Sequence, residues 1–439
     1  MVLSRLIRVY RAYFARYLLF RLFKALTLTV YRNIYQFRSI LSVPHGVSSY
    51  RLVPWSNFSG KHLLKRISVS PAQFIDIQEP RFVNKWDSVK GDNVNTFKIQ
   101  MPKLEVAEIF DAVVVGRADF IFSDGAAILP DAFVSSQDTC PAEVFGVASV
   151  NRGTNLMRLY LTQKPKEIDF AVTLLGQSTA NYAHWLTEIL PKFLILDAFQ
   201  DFKRAPLLLD QGLHPNILES IKIFNANHRE IISVKRWEPV RINRLLSVSQ
   251  PGYEPYIPHG VSNNSSPCVV NTFSRDALTI LRNAACRLTS NETLPQVKKL
   301  YISRNRKSGN VRGVTNSDVI EYFLRTEGFE VIEPASLTFS EQVSACKQAE
   351  IIVAPIGAAL ANMIFSPPGC KIIVLAPYYE GASYYYYSNL AGVLGHELCH
   401  ILGQQANKDG HPMHRDYFID LPELKAAVTS LSGSGCLIP

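Results

Sequence analysis

The stretch 350-EIIVAPIGAALANMIFSPPGCKIIVLAP-377 decides the fold. Its two apolar runs, 350-EIIVAP-355 and 371-KIIVLAP-377, are short and bounded by turn residues, the pattern of strands buried on both faces. Between them 358-AALANMIFS-366 reads as a helix. The stretch from Ile351 to Cys370 carries no charge, but Pro355, Gly357, Pro367, Pro368 and Gly369 punctuate it. Such punctuation suits strand, loop and helix and excludes a membrane span.

Working outward, 299-KLYISR-304 reads as a strand, 316-NSDVIEYFLRTEG-328 as a capped amphipathic helix ending at glycine, and 329-FEVIEP-334 as a strand stopped by proline. Helices follow at 340-SEQVSACKQA-349 and 384-YYYYSNLAGVLG-395. Strand and helix alternate with short loops, the sequence form of a parallel sheet covered on both faces, with ligands at the C-terminal ends of its strands. The next element expected is therefore a strand, and it falls on 396-HELCHIL-402. Letter for letter, His396-Glu397-Leu398-Cys399-His400 is the HExxH signature of zinc metalloproteases. That chemistry needs a helix, where positions i and i+4 converge; on a strand the two histidines stand about 13 Å apart. Position 406, where a third ligand would fall, is alanine, with only His411 and His414 as substitutes. A zinc protease is thus the weaker alternative.

The first half alternates less regularly. Strands are expected at 168–175, 206–210 and 230–234, helices at 181–199 and 215–225, and a β-hairpin within 107–133 turning at Asp124-Gly125. The Pro-, Gly-, Asn- and Ser-rich run 251-PGYEPYIPHGVSNNSSP-267 is the candidate active-site loop, leading to an interdomain linker. The inferred fold class is α/β, two Rossmann-like lobes facing a cleft. The boundaries expected are a basic helical segment at 1–40, an N-terminal α/β lobe with the hairpin at 70–290, a C-terminal Rossmann-like lobe at 295–405, and a tail with a helix at 406–439.

The 439 residues are 47% hydrophobic and 19% charged, a folded rather than disordered composition. The net charge of +9 is local: residues 1–75 hold twelve Lys/Arg and no Asp/Glu, leaving 34 basic against 37 acidic residues elsewhere. That excludes a nucleic-acid-binding body and points residues 1–38 at an anionic membrane surface. Charges interrupt every apolar run there, so neither a spanning helix nor a secretory signal is expected. Seven scattered cysteines without a CxxC pair form no disulfide framework or Cys-based zinc site. The expected location is the cytoplasm, peripheral at the inner face of the membrane; sequons at Asn57, Asn263, Asn264 and Asn291 would matter only in a secretory compartment.

Three places can carry chemistry. Gly357 after a strand, with Ala358 opening the next helix, permits close backbone approach to a phosphate. Arg304, directly after another strand, can fork two hydrogen bonds to a diphosphate, with Arg306, Lys307 or Arg312 as auxiliaries. His184 and Glu188, four apart on one helical face that begins near Asn181, can act as a general base toward a hydroxyl, or form an ordinary ion pair.

The runs 181-NYAHWLTEILPKF-193 and 301-YISRNRKSGNVRGVTNSDVIEYFLRTEGFEVIEPASLTFSEQVSACKQAEIIVAPIGAALANMIFSPPGCKIIVLAP-377, with the tail 414-HRDYFIDLPELKAAV-428, resemble glycosyltransferase family 61, in the style of its bacterial capsular polysaccharide members. The resemblance spans roughly residues 165–430. It implies a GT-B-type transferase that inverts the anomeric centre without an obligatory metal. No cofactor is implied; the donor is a nucleotide sugar, expected to be UDP-linked, and the acceptor a saccharide or lipid-linked saccharide. The family pattern falls on Asn181, His184, Trp185 and Glu188, on Tyr301 to Arg304, on Arg312 and Asn316, and on Gly357, Ala358 and Asn362. Asn181 and Trp185 are then expected at the acceptor, and Arg304, Arg312, Asn316, Gly357, Ala358 and Asn362 at the donor. Glu341 either touches the nucleotide or caps its helix. Ile356 stands where animal and plant members often have histidine, so any role of that histidine does not transfer. A non-catalytic polysaccharide- or nucleotide-binding scaffold is the remaining alternative.

Overall fold

A computed structural model describes residues 47–77, 79–84, 97–133, 138, 140–161, 163–199, 203–255, 271–288, 297–304, 312–408 and 412–432. The basic segment at 1–40, the auxiliaries Arg306 and Lys307, most of the 251–267 loop, His411 and three of the four sequons lie outside the described residues.

The C-terminal region forms a six-stranded sheet. Its order is Glu330–Ile332, Lys299–Ile302, Ile351–Pro355, Lys371–Pro377, Glu397–Gln405, Tyr417–Phe418. The first five strands are parallel and the last is antiparallel. Numbered along the chain, the parallel five run 2-1-3-4-5, the doubly wound order whose direction of winding reverses between Lys299–Ile302 and Ile351–Pro355. The HELCH stretch lies on a strand as expected, with His400 opposite Val374 in the register. One expected helix differs in kind: Ala358–Phe365 is a 3-10 helix. Leu360 to Phe365 are all buried, and the Pro367-Pro368 pair ends the helix.

One face of this sheet is covered by the helices Ser317–Thr326 and Leu421–Ser432, with Ile320, Leu324, Leu424 and Val428 against Tyr301, Val353, Ile373 and Ile401. The other face carries Phe339–Cys346, Ala358–Phe365 and Tyr385–Leu394. These meet a further layer, the helices Leu190–Asp197 and Arg275–Leu288, in one continuous core that reaches Val172, Leu174, Leu246 and Val248 of a second sheet.

Among the described residues that second sheet has eleven strands. Ile231–Val234, Leu207–Asp210, Lys166–Thr173 and Pro239–Val248 are mutually parallel. Beyond them Leu104–Val115 pairs antiparallel with Pro239–Val248 and continues into a mostly antiparallel region not foreseen from sequence, including Leu63–Ser70, Ala148–Asn151, Leu156–Tyr160 and Val47–Pro54, the last of which pairs parallel with Ala126–Leu129. The expected hairpin is present: Ile121–Ser123 and Ala126–Leu129 turn at Asp124 and Gly125, with φ of 49° and 71°. Two consecutive positive φ values are what the right-handed strand twist asks of a two-residue turn.

Residues 81–84 tie the two regions together. His400 donates its N–H to the Arg81 carbonyl at 2.8 Å, and Val83 donates to the His400 carbonyl at 2.9 Å. The Asn84 side chain then pairs with both backbone groups of Leu402, at 2.7 and 2.9 Å, and donates to Glu423 at 2.8 Å. The edge of the C-terminal sheet is thus closed by a segment about 318 positions earlier. The architecture is mixed α/β. Among the described residues no helix is long and apolar enough to cross a membrane.

Candidate active site

Local sequence chemistry begins the site at Pro191. A proline has no N–H, so it cannot bond the Thr187 carbonyl four residues back as a regular helix requires. The chain answers with a π-helical turn over Trp185–Ile189, in which Leu190 bonds the Trp185 carbonyl, between α-helical segments at Tyr182–His184 and Leu190–Asp197. The Thr187 carbonyl faces Gly252 so closely that a Cβ there would sit 2.8 Å from its oxygen. Only glycine brings the short strand Gly252–Tyr253 this near, and Glu254 follows it directly.

Glu254 completes a triad with the buried His184 and Glu188. His184 contacts Glu188 through Nδ1 at 2.6 Å and Glu254 through Nε2 at 2.7 Å. Burial opposes a charge on the imidazole, but the two flanking carboxylates outweigh it and hold His184 well above its ordinary range, as an imidazolium. Burial alone would raise Glu254; the His184 cation and hydrogen bonds from His184 and Asn271 bring it below the usual carboxylate range instead. Behind Glu188, Gln250 lies 3.5 Å from its second oxygen and accepts a hydrogen bond from the buried Lys192 ammonium. Lys192, Gln250 and Asp119 line a cavity of about 30 Å³, room for about one water. Burial lifts Asp119 to about 7 against the pull of Lys192.

A second group gathers at the winding reversal of the C-terminal sheet. Arg304 follows strand Lys299–Ile302, and Gly357 follows Ile351–Pro355. Arg304 Nη1 donates to the Ile356 carbonyl at 3.2 Å, and Arg312 Nη2 donates to the same oxygen at 3.0 Å. Gly357 has extended backbone that any residue could adopt (φ 171°); its requirement is space, since a Cβ would lie 2.5 Å from Arg304 Nη1. Burial lowers Arg304, and the neighbouring Arg312 cation lowers it further. The Arg312 Nε is buried and has no hydrogen-bond partner among the described residues. Two guanidiniums converging on one carbonyl, one with an unmet donor, are suited to an anion.

Two adjacent tyrosines join the groups. The Tyr386 ring packs edge-on to His184 at 5.4 Å, and its hydroxyl lies 3.1 Å from Thr187 Oγ1. Tyr387, its ring 4.9 Å from that of Tyr386, donates its hydroxyl to the Gly357 carbonyl at 2.6 Å. The expected acid–base residues and the expected anion residues therefore meet at the C-terminal edge of one sheet.

Other expected site residues are occupied elsewhere. Asn181 caps its helix, accepting from the Ala183 N–H at 3.0 Å. Trp185 is fully buried and donates to Ser220 at 2.8 Å, so its ring packs the core rather than facing a substrate. Asn362, also fully buried, links Tyr182 to Gln342. Asn316 does not cap its helix by side chain; it grips both backbone groups of Ile419. Of the two readings left open for Glu341, its contacts are those of a cap: it forms a capping box with Thr338. Ala358 opens the 3-10 helix beside Gly357. Sequence reading missed Glu254, Gln250, Lys192, Tyr386 and Tyr387. A signal existed for Glu254, the lone carboxylate in the 251–267 loop.

The histidines of HELCH hold no common partner. His396 Nε2 contacts the Met363 carbonyl at 3.0 Å, while His400 Nδ1 contacts the Arg81 carbonyl at 3.2 Å. Burial pushes both down to about 4, leaving them neutral. No group of three His, Cys, Asp or Glu suited to a metal occurs among the described residues.

A triad of ionisable groups is thus joined, through two tyrosines packed edge to face, to an arginine pair at the winding reversal of a doubly wound sheet, a place where such sheets take ligands. Residues 182–373 match the family described as Glycosyltransferase 61. The chain therefore carries a glycosyltransferase family 61 domain and is a glycosyltransferase. The match is narrower than the resemblance expected over 165–430: it begins at Tyr182 and ends within strand Lys371–Pro377, taking in His184, Glu188 and Glu254 and leaving Asn181 and the HELCH strand outside. No curated protein matches the chain.

Proposed function

We propose that the protein transfers a sugar, with inversion and without an obligatory metal, from a nucleotide-sugar donor to a saccharide or lipid-linked acceptor, in the manner of surface polysaccharide synthesis. The donor diphosphate lies against Arg304, Arg312 and the turn at Gly357, where fixed cations neutralise charge growing on the leaving group. The acceptor hydroxyl approaches beside the His184 cluster, which receives its proton as the oxygen attacks the anomeric carbon in line. In this reading the sheet of residues 295–405 serves the donor and the region 70–290 serves the acceptor, a GT-B-type division of labour. A UDP-linked donor and peripheral attachment of residues 1–38 to the anionic inner leaflet complete the proposal; no nucleic acid takes part.

The observation that supports this most directly is the Tyr386–Tyr387 pair, of which one ring packs on His184 and the other hydroxyl donates to the Gly357 carbonyl beside the arginine pair. A thermal-shift panel of UDP-, GDP- and CMP-sugars tests it: one nucleotide class should raise the melting temperature of the full chain, because a ligand that binds the native state alone must stabilise it. A flat response across the whole panel overturns the reading.

A further inference from the structure

We infer that Glu254, rather than His184, takes the proton from the attacking hydroxyl, and that His184 is the cation that positions it. The inference rests on the transfer reaction proposed above and assigns the base within it.

Three groups compete for the role. His184 has both ring nitrogens engaged by carboxylates, at 2.6 and 2.7 Å, so it offers no lone pair. Glu188 is sealed, its side chain 5% exposed, one oxygen on His184 and the other toward Gln250. Glu254 is 42% exposed while holding its hydrogen bond to His184, and it alone of the three opens to an entering molecule.

The step balances without a further reactant. The acceptor O–H proton passes to the Glu254 carboxylate as the acceptor oxygen bonds the anomeric carbon. The bond from that carbon to the donor phosphate oxygen breaks, and its electron pair leaves with the diphosphate toward Arg304 and Arg312. The exposed face of Glu254 then returns the proton to water. The groups around it set its behaviour: His184 and Glu188 from the helix, Tyr386 and Tyr387 from the facing helix, Asn271 ahead of the strand Thr272–Phe273, and the more distant arginine pair. Glu188 maintains the positive charge on His184, and His184 fixes the rotamer of Glu254.

The test uses the full chain and the nucleotide sugar that gives the thermal shift, reading release of nucleoside diphosphate to water as acceptor. Glu254→Gln should lower release by about 100-fold or more, with nucleoside diphosphate affinity within about twofold of native. Glu254→Ala should recover turnover on addition of formate, which a structural role would not allow. Native-like release by Glu254→Gln, or parallel loss of turnover and diphosphate affinity, overturns the assignment. Failure of every nucleotide to bind overturns the transfer reading and the assignment with it.

Discussion

Two stretches of this chain place a histidine four residues from a second potential partner, and the backbone sends them to opposite ends. In 184-HWLTE-188 the winding brings His184 and Glu188 to 2.6 Å, and the ring is charged. In 396-HELCH-400 the strand separates the two rings, each bonds a different backbone carbonyl, and both are neutral. A motif is a statement about spacing along the chain; the chemistry belongs to the spacing in three dimensions, which only the secondary structure supplies.

The largest expected contrast is in turnover. His184→Gln should reduce nucleoside diphosphate release by at least about 100-fold, whereas His396→Gln should stay within about threefold; equal losses in equally folded proteins would erase the distinction. Next comes donor affinity. Arg304→Ala and Arg312→Ala should each weaken nucleoside diphosphate binding by about 10- to 100-fold, the scale of a charge-assisted contact, while His400→Gln leaves it unchanged by calorimetry.

The pH dependence of stability should then differ in sign. His184 is held charged in the folded protein, so its contribution is complete below about 6.5 and is lost as pH rises through its elevated value. The deficit in melting temperature of His184→Gln should therefore shrink at alkaline pH. His396 and His400 are held neutral, so stability is lost as pH falls from about 6.5 toward 4, by up to about 3 kcal/mol for each. Melting curves of His396→Gln should accordingly show a shallower acid slope than native. The smallest effect is on metal: zinc in the purified protein should be substoichiometric and unaltered by His400→Ala, measured by elemental analysis.

The C-terminal sheet was legible because buried parallel strands are written as continuous apolar runs; strand Lys371–Pro377 falls where its letters place it. Some N-terminal strands were not, because they are half-exposed and irregular. Leu63–Ser70 shows no clean alternation of buried and exposed positions and pairs through two register shifts. At the candidate site, the pairing of His184 with Glu188 and the nearness of Arg304 to Gly357 were readable from type and position. Glu254 was not, because its reach to His184 depends on a proline 63 positions earlier and on the missing side chain of Gly252. Tyr386 and Tyr387 were hidden in a run of four tyrosines whose residues look alike until packing assigns each a different neighbour.

The clasp of residues 81–84 on strand Glu397–Gln405 bears on how this molecule is born. That strand leaves the ribosome more than 300 residues after the segment that completes its border, so the final sheet must wait for a much older stretch to be waiting in place. A fragment cut to residues 182–373 would lack both halves of the seam. A version beginning after Asn84 would display bare amide and carbonyl groups along His400 to Leu402, an open invitation to neighbouring chains in a crowded solution.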